Sequence, residues 1–372
     1  MDLPLPKGTK LAGFTIIDEI ARGGFGITYR ASSANGQVVA LKEYFPADMA
    51  TRANDLSVAP QPDQRRLYFE GLRAFLSEAN TLKSLPQRPG LVQVRAAFEK
   101  FGTAYCAMDF IEGEPLSTLV PRIQHRHGHV PENLLRDLIG PICVALDTVH
   151  SCRLVHRDVK PANVMLRQSD QTPVLIDFGA ARPTGQKASS LSMITQRYAP
   201  IELFPAGTPG IPAGLSEGPW SDIYSLCVML YEMMTQQSPP NAKTRIAQVM
   251  KTQTDPLLPL SEALARLGLA DKFSPSLVEA VNLGCALMPD KRPRSARELA
   301  QMMGIDLTDA RPPVQPMGPQ GGQSGPQPAP RPGSERGPGT ETGLASTVLM
   351  TLIILGIAAA VVALSTYRSF GG

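Results

Sequence analysis

The sequence predicts an α+β fold, continued by a polar linker and one C-terminal transmembrane helix. Three observations carry this reading. Runs rich in β-formers, Phe14 to Ile20 and Val38 to Phe45, enclose glycines and a turn near the N-terminus. Helix-spaced apolar residues follow at Phe75, Leu82 and Leu85, and again through "WSDIYSLCVMLYEMM". A charge-free apolar run stands at Leu344 to Thr366, beyond a stretch that has no apolar periodicity.

At 372 residues, 43% hydrophobic and 19% charged, the chain has the material for a large core. Its formal charge of +3 lacks the basic excess that nucleic acid draws on, so no nucleic-acid partner is expected. Cys106, Cys143, Cys152, Cys227 and Cys285 form no C-x-x-C pair and read as small core hydrophobes in a reducing compartment. His125, His127 and His129 in "HRHGH" alternate as metal ligands can, but Gly128 and Pro131 beside them favour a solvated loop.

In chain order, "FTIIDEIARGGFGITYRASSANGQVVALKEYF" suggests successive antiparallel strands with a turn at Asn35 and Gly36. Gly23, Gly24 and Gly26 lie between two strands, where absent Cβ atoms let backbone N–H groups approach an anion; a dinucleotide fingerprint would open a helix instead. An ordinary hairpin explains this stretch alone equally well. Strand alternation then turns Ala40 and Lys42 of "VALK" to one face. Further on, "HRDVKPAN" at residues 156 to 163 crowds five kinds of polar head onto one loop between apolar runs. Residues 305–343 are a proline- and glycine-rich linker with too little apolar area to offset ordering entropy. Residues 344–366 would span roughly 35 Å as a helix, enough for a bilayer core, and leave a short tail at 367–372. "MDLPLPKGTK" has no apolar signal stretch, so the segment before the linker is expected in the cytosol.

Taken together, "VALK", "HRDVKPAN" and "DFG" at Asp177 to Gly179 resemble, in order and spacing, the signature set of the eukaryotic-like serine/threonine protein kinases. "KEYFP" after the lysine resembles a bacterial branch. The resemblance covers about residues 14–304 and implies a two-lobed protein kinase fold, with an antiparallel sheet N-lobe to about Glu112 and a helical C-lobe over 113–304. It further implies ATP and Mg2+ as cofactors and protein substrates; the apolar run at 344–366 adds the expectation of a cytoplasmic kinase domain tethered to a bacterial inner membrane.

The resemblance also assigns roles. Asp158 orients the acceptor hydroxyl and takes its proton, and Lys160 neutralises the γ-phosphoryl group. Asn163 and Asp177 supply hard oxygen ligands to Mg2+. Lys42 holds the α- and β-phosphates and pairs with a glutamate of the first large helix; Glu78 is the choice and Glu70 the competitor, because an insertion around "ADMATRANDLSVAPQPDQ" loosens the count. Ile20, Gly23, Gly24, Gly26 and Thr28 border the nucleotide, and Ala40 and Met165 sandwich the adenine. The backbones of Asp109 and Ile111 address it beside Met108. Arg157 is suited to receive a phosphate from "ASSLSMIT", at Ser189, Ser190 or Ser192, with Thr195 less suited. Asp222 braces the loop, and Glu202 pairs with Arg292. Three positions depart from the pattern: Ala21, Ile201 and Cys227 replace a glycine, a proline and a glycine.

Two other function classes share parts of this set. A silent kinase-shaped scaffold would lack the lysine or an aspartate, and a small-molecule phosphotransferase would lack Lys160 and the Glu202–Arg292 support. In the apolar run, Gly356 with Ala360 and Ala359 with Ala363 share helix faces that let two spans pack, which makes a homodimer an expectation.

Overall fold

The computed structural model describes residues 4–24, 26–177, 182–183, 197–205 and 207–307, all within one compact unit, Met1–Pro316. Residues 308–343 of the linker, the apolar run at 344–366, "ASSLSMIT", and the Phe178 and Gly179 that follow Asp177 lie outside the described residues, whereas Ile305 and Leu307, expected to open the linker, pack against the helical core, and the Ile305 amide donates to the Ala300 carbonyl at 2.8 Å. Among the described residues no helix is long and apolar enough to cross a membrane.

The chain first builds an antiparallel sheet. Strands β1 (Lys10–Leu11), β2 (Phe14–Gly23), β3 (Gly26–Ser33) and β4 (Val38–Tyr44) pair in succession. A separate hairpin, β5 (Ala50–Arg52) with β6 (Val58–Pro60), precedes helix α1 (Arg65–Lys83). Strands β7 (Val94–Lys100) and β8 (Thr103–Asp109) complete a six-stranded sheet of order β1-β2-β3-β4-β8-β7. The β3–β4 turn works because Gly36 takes φ +83°, a conformation without steric cost only for glycine. Gly26 is required for a different reason: a Cβ there would meet the Glu43 carbonyl oxygen at 2.3 Å.

The sheet begins earlier than Phe14, because β1 pairs with β2 and buried Leu5 donates its amide to the Tyr29 hydroxyl at 3.0 Å. The "ADMATRANDLSVAPQPDQ" insertion is not a plain loop but carries the β5–β6 hairpin. Leu85, read as part of the first helix, lies past its end, yet it is buried with Leu82 in the same core.

The second half is mostly helical. Strand β9 (Gly113–Pro115), α2 (Leu116–His127), α3 (Glu132–Ser151), β10 (Leu154–Val155), β11 (Val164–Arg167), β12 (Pro173–Leu175) and β13 (Arg182–Pro183) come first. Helices α4 (Pro219–Thr235), α5 (Ala242–Thr252), α6 (Leu260–Arg266), α7 (Pro275–Gly284) and α8 (Ala296–Met302) follow. Buried residues cover every side of α4, from Ser221 through Tyr231 and on to Thr235, as an all-round apolar helix must be. The "HRHGH" stretch corrects the loop expectation: His125 and His127 form the last turn of α2, ended by Gly128 at φ +74°. Arg126, between the two histidines, is a cation suited to a helix C-terminus and glycine favours the left-handed cap, so local chemistry extends the helix.

Two apolar cores result. One, with Tyr29, Leu41, Tyr68 and Tyr105, fills the sheet side; the other runs through the helices and takes in Ala79 and Leu82 of α1. Four cysteines are buried in these cores or their margins, but Cys152, at the end of α3, is exposed.

Candidate active site

Strand β4 carries the first cation. Its register sets Thr28 opposite Lys42 on one side and Cys106 on the other, and half-buried Ala40 and Lys42 alternate with buried Val39, Leu41 and Glu43. The Lys42 ammonium makes an ion pair with Asp177 across the boundary between sheet and helices. Burial acts to lower the Lys42 pKa, but the Asp177 charge and hydrogen bond, with Glu78 behind them, hold it above its ordinary value. Glu78 lines the same small cavity as Lys42, Phe75 and Met108. Glu70 instead pairs with Arg66 at 2.8 Å on the exposed side of α1.

Alternation turns the next residue, Glu43, to the opposite, buried face. There it accepts from the Tyr29 hydroxyl at 2.8 Å, the Tyr105 hydroxyl at 2.6 Å and Arg52 Nη2 at 2.6 Å. Burial, then the Glu43 charge, push both tyrosine pKa values far above their usual range, which keeps the hydroxyls as donors. Sequence reading missed this network. The signal was present: a carboxylate one residue after Lys42 must face the core, and a buried carboxylate demands a cation, which the insertion supplies as Arg52.

The "HRDVKPAN" loop leaves β10, makes one 3-10 turn at Pro161–Asn163 and enters β11. Arg157 and Asp177 both take left-handed backbone conformations, φ +69° and +61°, which non-glycine residues hold only when their surroundings impose it. Asp222 of α4 provides that hold on the loop. Its carboxylate accepts the His156 amide at 2.8 Å, the Arg157 amide at 2.7 Å and His150 Nε2 at 2.8 Å. Burial acts to raise the Asp222 pKa, but the His150 contact and the other donors keep it below the carboxylate range. Burial lowers the His156 pKa against the pull of Asp222, Asp158 and Asp177, and its Nδ1 accepts the Asp158 amide at 3.3 Å.

Polar heads converge on Asp158. Lys160 Nζ lies 2.7 Å from Asp158 Oδ2, and Asn163 Nδ2 donates to the same oxygen at 2.8 Å and to the Asp158 carbonyl at 2.9 Å. Arg157 turns away and grips Glu217 with Nε at 2.5 Å and Nη2 at 2.6 Å. A cavity beside the loop is lined by Lys160, Pro161, Arg197, Tyr198 and Glu232.

The remaining predicted residues lie on β2, β8 and β11 and in the segment after β8. Ile20, 47% exposed, lies next to the β2 irregularity between Glu19 and Ala21. Gly23 pairs with Gly26 at the hairpin end, and open space surrounds the position a Gly23 Cβ would take. Met165, half-buried, lies in β11 between Pro115 and Val174. Asp109 ends β8, its amide donating to Gln93 at 2.9 Å and its carboxylate gripped by Arg95; Ile111 follows, half-buried.

Farther out, Arg292 joins Glu202 at 2.6 Å with both side chains fully buried, and Ser221 donates to the same carboxylate at 2.8 Å. Cys227 in α4 has an explanation in α7: a Cβ on Gly284 would stand 2.1 Å from its sulfur. The volume added on one helix is removed from the other.

The protein kinase domain family matches residues 14–303. "Serine/threonine-protein kinase PknA" of a Nostoc species is 27% identical over 306 residues, covering 81% of this chain and 48% of its own. "Serine/threonine-protein kinase B" of a Synechocystis species is 30% identical over 228 residues, covering 59% and 36%. The chain thus spans about half the length, or less, of these curated relatives. Among solved structures, the apo form of PpkA-294 superposes with a TM-score of 0.66 at 30% identity, covering 81% of this chain and 99% of that one. The Mycobacterium tuberculosis PknI kinase domain has the same fold at a TM-score of 0.55 and 25% identity, covering 81% and 99%.

Proposed function

The chain belongs to the protein kinase domain family, whose standard pair is ATP with Mg2+, and from that premise we propose that it is an ATP-dependent serine/threonine protein kinase. The observation that carries this is the convergence of Lys160 and Asn163 on Asp158, with Lys42 ion-paired to Asp177. In the proposed step the acceptor hydroxyl oxygen bonds to the γ-phosphorus while Asp158 takes its proton; the bond from that phosphorus to the β,γ-bridging oxygen breaks, and ADP leaves with the electron pair. Lys160 balances charge on the transferring group, and Lys42 exchanges its hold on Asp177 for the α- and β-phosphates. With Nδ2 of Asn163 committed to Asp158, its Oδ1 and the Asp177 carboxylate are the hard oxygens that would hold Mg2+, which neutralises phosphate charge when bound.

Ile20, Gly23, Gly24, Gly26, Thr28, Ala40 and Met165 border the nucleotide in this reading. Asp109, its amide already used, contributes its carbonyl to the base, and Ile111 its amide. A protein segment would enter past the cavity beside Lys160. Residues 344–366 anchor this domain to a bacterial inner membrane, kinase side cytoplasmic, and pair with a second copy through Gly356 and Ala360; the charge-free run supports this. Removing residues 344–372 should shift the protein from the carbonate-resistant membrane pellet to the supernatant with transfer activity retained. A truncated protein that still pellets undoes the anchor.

A further inference from the structure

We propose that Glu217 is the resident counter-charge of the catalytic loop, holding Arg157 so that the loop assembles without a phosphate on the segment 184–196. This rests on the kinase reading above. Arg157 immediately precedes Asp158, so its placement sets where the carboxylate points. Two guanidinium nitrogens meet the two Glu217 carboxylate oxygens at 2.5 and 2.6 Å, the forked geometry that combines strength with orientation. The side chains are only 9% and 12% exposed, so solvent screens the pair little.

Glu217 is itself fixed. Gly218, next to it, lies where a Cβ would stand 2.6 Å from the Trp220 ring, and its amide donates to Ser221 Oγ at 3.2 Å. The Ser221 hydroxyl in turn reaches the buried Glu202–Arg292 pair. Five positions on, Asp222 takes the Arg157 amide. The approach to α4 therefore grips Arg157 at both ends, backbone and side chain, and the Lys160 and Asn163 contacts to Asp158 are already formed around it. A phosphate seeking the same two guanidinium nitrogens would have to displace a carboxylate or lie beside it, and two anions in one poorly screened site repel.

The test uses the full chain in three states of charge. Wild-type protein treated with a serine/threonine phosphatase, and shown by mass spectrometry to carry no phosphate on 184–196, should keep its kcat within about threefold, as should Ser189→Ala/Ser190→Ala/Ser192→Ala. Phosphate-free Glu217→Gln should lose roughly 30-fold in kcat with little change in KM for ATP, and Glu217→Asp should lose less. Phosphorylating Glu217→Gln in trans with wild-type kinase should return most of that loss, which a merely structural role for Glu217 would not. A phosphatase-treated wild type that loses more than about tenfold, or a phosphate-free Glu217→Gln as active as wild type, overturns the proposal. Should Glu217→Gln fail to fold by circular dichroism, the phosphatase result alone decides. Wild-type protein that transfers no phosphate in any state overturns the kinase reading instead.

Discussion

Replacing Arg52 by methionine should unfold the sheet side of this protein well below the wild-type temperature. Arg52 is the cation of a pair whose side chains are 2% and 0% exposed, so the substitution leaves the Glu43 carboxylate in the core with only two neutral donors, Tyr29 and Tyr105. Breaking a buried ion pair from one side costs about 3–5 kcal/mol; the two hydroxyls that still solvate Glu43 place the cost near the lower end, about 3 kcal/mol. The substitution also removes the Arg52 bond to the Leu56 carbonyl at 3.2 Å and its stacking 4.9 Å over Phe45. With an unfolding entropy of about 2.1 cal/mol/K per residue over a folded region of about 300 residues, about 3 kcal/mol corresponds to a fall in Tm of roughly 5 °C. Circular dichroism melts and urea titrations of Arg52→Met, Glu43→Gln and the double variant measure it. Because the cost is an uncompensated charge and not lost packing, Glu43→Gln/Arg52→Met should recover most of what Arg52→Met loses. A single variant that loses less than about 1 kcal/mol, or a double variant no better than the single, refutes the reasoning.

Other consequences follow from named contacts. Gly284→Ala drives a methyl into the Cys227 sulfur and should destabilise by about 1–3 kcal/mol, while adding Cys227→Gly should relieve most of it; equal urea midpoints for the single and double variants would contradict the proposed exchange of volume. His156 has its folded pKa depressed from 6.5 by burial, so the unfolded chain binds its proton first as pH falls. Stability carried by neutral His156 is therefore complete above about pH 6.5 and declines below it, by at most about 1.4 kcal/mol per pH unit until the folded pKa is reached. Melts showing no decline between about pH 7 and 5 would contradict a neutral buried His156.

What the sequence made legible depended on how local the determining physics was. The β2–β4 strands were readable because alternation and the Asn35–Gly36 turn act over a few residues, and the structure pairs them as hairpins. The buried α4 was readable from its unbroken apolar run. Spacing brought Lys42, Asp158, Lys160, Asn163 and Asp177 into one reading; the structure pairs Lys42 with Asp177, gathers Lys160 and Asn163 on Asp158, and joins Ile176, next to Asp177, to the Asn163 carbonyl at 2.8 Å. The β5–β6 hairpin escaped because its role is tertiary: it exists to deliver Arg52 to a carboxylate on another strand. Cys227 looked like an unexplained departure until α7 showed Gly284 opposite it, a relation with no trace in either local sequence. Arg157 was expected to await a phosphate because its neighbour along the chain suggested that use; Glu217, sixty positions away, could be matched to it only in three dimensions. The last turn of α2 was lost to a composition argument that weighed Gly128 as a breaker and not as a cap.

The central claim is phosphoryl transfer by the Asp158 centre, and one assay bears on it most directly. Full-length wild type, Asp158→Ala and Lys42→Met are incubated with Mg2+, γ-labelled ATP and a generic basic protein, with folding checked by circular dichroism. The account predicts label on serine and threonine of the substrate with wild type, and losses of roughly a thousandfold or more in both folded variants. Label transfer by Asp158→Ala at near the wild-type rate would contradict it.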